Sequence, residues 1–129
     1  NALKDARHYL KYFPMNERTN YIAGTALFMK KDYKTALQYV DKCKTKPTIK
    51  TVYKLSGLCH YYLVHDQQAI EDLTKYLSLN VTQSEEAEAY YTIGICKNNV
   101  EPKSGCREIA LAIEKGLTDA QLNYDDECK

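Results

Sequence analysis

The sequence predicts an all-α protein built from stacked, antiparallel helix pairs, and three patterns predict it. Gly24, Gly57 and Gly94 recur at a spacing of about 33 residues, each within an apolar, Tyr-rich stretch of helical periodicity. Each is followed twelve positions later by a small residue: Ala36, Ala69 or Cys106. Pro14 and Pro47 also lie 33 apart, with Asn80 where a third member would fall. A repeat in this range marks helix pairs that bury their apolar faces by stacking on their neighbours. Small residues at matched positions let two helices approach to about 8–10 Å.

Taken in order, Ala2, Ala6, Tyr9 and Phe13, followed by Pro14, read as the second helix of a partial unit over 1–14. The first full unit, 16–47, pairs the stretch around Gly24 with one that keeps helical spacing through Ala36, Val40 and Cys43. The second, 48–80, pairs the stretch around Gly57 with Ala69, Leu73 and Tyr76. Asp32 and Asp66 are expected to cap the second helices of these pairs. In the third unit, 82–116, Thr82 and Glu85 have capping-box spacing, Glu85, Glu86 and Glu88 make an acidic first turn, and Pro102 suits a first-turn position in the following helix. Gly116 has the placing of a glycine just past a helix end. Over 117–129, Thr118 and Gln121 predict a last helix with a polar outer face, as the end of a stack requires.

Composition narrows the function. The chain of 129 residues makes about one domain. Its net charge of +1 gives no electrostatic reason for nucleic acid or an anionic membrane as partner. No apolar run reaches the roughly 18 residues of a membrane span, so direct membrane insertion is not expected, and no signal-peptide h-region is visible. Asn rather than Met at position 1 reads as a processed or excised chain. Twelve Tyr, two Phe and no Trp favour half-buried faces and wet interfaces, because Tyr joins an apolar ring to a polar tip. His60 and His65, five apart, do not share a helix face, and no Cys/His grouping has metal-ligand spacing. No phosphate-cradling loop is present. The sequence therefore predicts no cofactor, no metal and no catalytic constellation.

The segments Tyr21–Phe28, Ala36–Cys43, Tyr53–Tyr61, Ala69–Tyr76, Tyr90–Cys96 and Cys106–Ile113, laid in register on the glycines, resemble the tetratricopeptide repeat (TPR) family over nearly the whole chain. The resemblance implies an α-solenoid, a right-handed superhelix of about three repeats, with a partial unit before them and a capping helix after them. It also implies a concave groove lined by the first helix of each pair. Positions three before and one or four after each glycine face that groove: Tyr21, Thr25 and Phe28; Lys54, Leu58 and Tyr61; Tyr91, Ile95 and Asn98. Arg18 and Glu88 flank it. The carboxylate clamp of chaperone-binding members is absent, because Tyr21, Thr25 and Leu55 occupy its positions and Lys54 alone is basic nearby.

Cys43, Cys59 and Cys96 read as small core residues. Cys106 and Cys128 lie equally far from Leu117, so two antiparallel helices would bring them level, a placement compatible with a disulfide. The run Cys106, Ala112, Gly116, Ala120, Cys128 resembles the closing repeat of bacterial cell-envelope TPR proteins, which implies an oxidising compartment.

The resulting expectation is a noncatalytic module holding a partner peptide or helix in an aromatic groove, with Tyr21, Phe28, Tyr61 and Tyr91 as anchors and Lys54 reading an acidic group. Its expected setting is exported, periplasmic or outer-membrane associated, as a scaffold of envelope machinery. The alternatives are a structural spacer of a larger protein and a cytoplasmic adaptor. Binding through the opposite face, at Tyr39 or Tyr76, and the oligomeric state are left open by the sequence.

Overall fold

The computed structural model describes residues 1–44 and 48–129. Among these, eight α-helices and one 3₁₀ turn are found and no strand: α1 (Ala2–Leu10), α2 (Glu17–Met29), α3 (Tyr33–Cys43), α4 (Thr51–Tyr62), α5 (Asp66–Leu77), α6 (Gln83–Val100), α7 (Cys106–Glu114), the 3₁₀ turn (Thr118–Ala120) and α8 (Gln121–Cys128). Pro47, expected between the first two units, lies outside the described residues.

The helices pack in adjacent pairs, α2 with α3, α4 with α5 and α6 with α7. Gly24 faces Ala36 and Val40, Gly57 faces Asp72 and Leu73, and Gly94 faces Gly105 and Ile109. Partners placed this evenly about each turn make the pairs antiparallel. A Cβ on Gly24 would lie 2.7 Å from Val40, and one on Gly57 would lie 2.7 Å from Leu73, so hydrogen at these positions sets the helix separation. The second helices bury the stripes the periodicity marked: Ala36, Val40 and Cys43, then Ala69, Leu73 and Tyr76.

Helix starts follow local chemistry. Asn16 Oδ1 accepts from the Thr19 amide at 2.9 Å, and Asp32 Oδ1 accepts from Thr35 at 3.3 Å. Thr82 and Glu85 form a full capping box at the start of α6. Two helix ends use non-glycine residues in the left-handed region, Lys31 (φ 65°) after α2 and Val64 (φ 60°) after α4, while Gly116 (φ 113°) follows α7. There the Asp32 and His65 amides reach back to the Leu27 and His60 carbonyls, at 2.9 and 2.8 Å.

Several expectations need correction. Asp66 is the first residue of α5, and the capping position belongs to His65 without a side-chain cap bond; Asp66 accepts instead from Asn99 Nδ2 at 3.2 Å. Pro102 precedes α7, which begins at Cys106 with Gly105 at its cap. Thr118 opens a 3₁₀ turn without a side-chain cap, and α8 begins at Gln121. In α1 the buried residues are Leu3 and Ala6, while Ala2, Tyr9 and Phe13 are exposed. The α2 face accepts the Leu3 stripe, and Tyr9 and Phe13 stack on each other at 4.8 Å between centroids.

Register in the third pair differs by one residue from the sequence alignment. Gly105, Ile109 and Ala112 are buried at the spacing of Ala36, Val40 and Cys43, so Gly105 is the small residue against Gly94. Cys106, aligned there by sequence, is turned about 100° from that face and is only half-buried. It forms a disulfide with Cys128, their Cα atoms 5.7 Å apart, tying the start of α7 to the end of α8.

Candidate functional site

Helices α4 and α6 and the 3₁₀ turn enclose a cleft of about 310 Å³. Its apolar lining includes Leu58, Leu73, Tyr76, Ala89, Tyr91 and Leu117. Lys54, Glu85, Glu88 and Asp119 supply charge. Lys54 and Leu58 reach the cleft because they straddle Gly57, whose own face is committed to α5. Tyr91 stands three residues before Gly94 for the same reason. Four of the eleven residues singled out in the sequence, Lys54, Leu58, Glu88 and Tyr91, thus meet in one cleft.

The cleft electrostatics are set by two contacts. Lys54 Nζ pairs with Glu88 at 3.7 Å, so the one cation among the described residues of the lining is already opposed by a carboxylate. Glu85 accepts from the Tyr76 hydroxyl at 2.6 Å and from the Thr82 amide at 2.9 Å. The Tyr76 bond, then the Thr82 bonds, hold its carboxyl down at about 2. The cleft therefore keeps a fixed negative charge beside an apolar floor.

The other seven residues are placed differently. Arg18 and Tyr21 line a separate depression with Thr48 and Ile49, and the Tyr21 hydroxyl bonds Thr51 Oγ1 at 2.7 Å. Phe28 packs edge-on against Tyr33 at 5.4 Å and near Tyr62 at 6.0 Å, inside an aromatic cluster at the ends of α2 and α4. Tyr61 joins that cluster through Tyr62 at 5.0 Å, and its partial burial raises its hydroxyl pKa. Thr25 and Ile95 are half-buried and outside the cleft. Asn98 Oδ1 accepts from the Gly105 amide at 2.7 Å, which assigns Asn98 to the α6–α7 turn.

Sequence reasoning missed Leu73, Tyr76, Glu85, Ala89, Thr92, Leu117, Asp119 and Ala120 in the cleft. The first two look like core positions of α5, and the last three enter only because the chain folds back after Gly116. Tyr76, considered for the opposite face, is fully buried with its hydroxyl on Glu85. Tyr39 is half-buried, and its hydroxyl accepts from Arg7 Nε at 3.3 Å.

Cys43, Cys59 and Cys96 are buried free thiols. Burial, foremost, pushes Cys43 up to about 11 and Cys59 and Cys96 up to about 12. Among the described residues, no three or more His, Cys, Asp or Glu side chains gather to hold a metal ion, and no helix is long and apolar enough to cross a membrane. Comparison with family models, curated proteins and solved structures finds no match to this chain.

Proposed function

We propose that the chain is a noncatalytic protein-interaction module of TPR type, an α-solenoid whose concave side holds a partner peptide or helix. The observation that carries this reading is the α4–α6 cleft, an apolar recess open to solvent and rimmed by charge on the first helices of two successive pairs. Its volume suits two or three apolar side chains of a partner, and an exposed apolar recess of this kind is a recognition feature. Lys54 and Glu88, already paired, orient the partner, while Leu58 and Tyr91 make the apolar contact.

The Cys106–Cys128 disulfide supports an oxidising compartment and hence a scaffold or assembly role in a bacterial cell envelope. The test is capture of partners by the intact chain beside a Leu58→Asp/Tyr91→Ala variant, with helicity and melting of both measured. A partner retained by the native chain and lost by the folded variant supports the reading. Equal capture by both removes the cleft from the function.

A further inference from the structure

The strongest unexplained feature outside the cleft is the pair of histidines at the α4–α5 turn. Helix α4 ends between them. Val64 takes the left-handed conformation (φ 60°), its amide reaches the Tyr61 carbonyl at 3.1 Å, and the His65 amide reaches the His60 carbonyl at 2.8 Å. These bonds fold His65 back over His60, and the two Nδ1 atoms lie 3.1 Å apart. With neutral rings, one Nδ1–H donates to the lone pair of the other.

The turn does not require histidines. After α2 the same backbone bonds form, with Lys31 at φ 65°, and the corresponding residues are Leu27 and Asp32. The imidazole pair is therefore particular to this turn.

We propose that His60 and His65 form a two-imidazole site for a divalent transition cation of the zinc, nickel and copper group, with water filling the remaining positions. Imidazole nitrogen suits these ions. Two ring nitrogens, each about 2.05 Å from one tetrahedral ion, lie roughly 3.3 Å apart with ring centroids about 5.2 Å apart. The centroids here are 5.3 Å apart. Rotation of the two rings about fixed centres turns the shared hydrogen bond into a chelate without moving the backbone.

The surroundings supply what a ligating histidine needs. Asp72 Oδ2 stands 3.8 Å from Nε2 of His60, the nitrogen a ligand ring points at a carboxylate to fix its orientation. Asp72 is itself held by Lys44 Nζ at 3.0 Å and Ser56 Oγ at 2.6 Å. His65 is exposed and gives the ion its route from solvent.

The test is titration of the disulfide-intact chain with zinc chloride at pH 7, followed by calorimetry and by the ¹⁵N resonances of the imidazoles. One zinc per chain is expected, with His60 and His65 shifting together. His65→Ala and His60→Leu weaken binding at least tenfold, and His8→Ala leaves it unchanged. Asp72→Asn weakens it about tenfold and changes the His60 tautomer read from its ¹⁵N shifts. Saturation absent at millimolar zinc, equal affinity in folded His65→Ala, or binding that follows His8 overturns the proposal and leaves the pair as a hydrogen-bonded helix end.

Discussion

Gly105 packs backbone to backbone on Gly94. A Cβ on Gly105 would overlap the Gly94 carbonyl, and a Cβ on Gly94 would lie 2.8 Å from the Gly105 carbonyl oxygen. Backbone cannot rotate aside as a side chain does, so Gly105→Ala is expected to lower unfolding stability by about 3 kcal/mol. At Gly57 the obstacle is the Leu73 side chain, 2.7 Å away. Gly57→Ala should cost less, about 1–2 kcal/mol. Urea denaturation of the two variants checks the order.

Val64 is a β-branched residue at φ 60° and 71% exposed, so its side chain buries little and strains its backbone. Val64→Gly is expected to raise stability by about 1 kcal/mol. A lower melting temperature in this variant would show that the Val64 side chain contributes packing at the turn.

The three buried thiols should be inert. At pH 8 and with the disulfide intact, Cys43, Cys59 and Cys96 lie far below their raised pKa values of about 11, 12 and 12, and they are closed to reagent. Ellman's reagent should react with no thiol in the native chain and with three in denaturant. Five in denaturant would mean that Cys106 and Cys128 are reduced.

Helix α8 buries no residue, and Leu122 is 78% exposed. Its attachment depends on the Cys106–Cys128 bond, which closes a separation of 22 residues and contributes about 3 kcal/mol by chain entropy. Cys106→Ser/Cys128→Ser should fray α8 and leave α2–α5 intact. Amide hydrogen exchange reads this as lost protection confined to 121–128.

Glu85 carries the clearest pH dependence. Its folded pKa, about 2, lies below the ordinary 4.5, so the unfolded chain binds the proton first. The stability Glu85 contributes is present above pH 4.5 and is lost as pH falls from 4.5 to 2. Tyr76→Phe removes the main cause of the shift, so its stability should fall less steeply across that window. Urea melts at a series of pH values compare the slopes.

Much of the fold was legible in the sequence, because one short pattern governs each helix. The stripes Ala36/Val40/Cys43 and Ala69/Leu73/Tyr76 and the Thr82–Glu85 capping box depend only on neighbours within two turns. The site was less legible. Lys54, Leu58 and Tyr91 could be named from helical geometry around a glycine, but Leu117 and Asp119 line the cleft only through the return of the chain after α7. Five-residue spacing on a helix separates His60 from His65, but the backbone turn between them brings their rings to hydrogen-bonding distance.

The sequence by itself determined that this chain is helical, where α3 and α6 start, and which faces of α3 and α5 are apolar, since caps and periodicity act over a few residues. Tertiary structure decided the one-residue register of the last pair. Gly105 and Cys106 are both small enough for the alignment, and only the approach of the Gly94 backbone selects the residue without a Cβ. That choice buries Gly105 and turns Cys106 toward Cys128, because consecutive helical residues point about 100° apart.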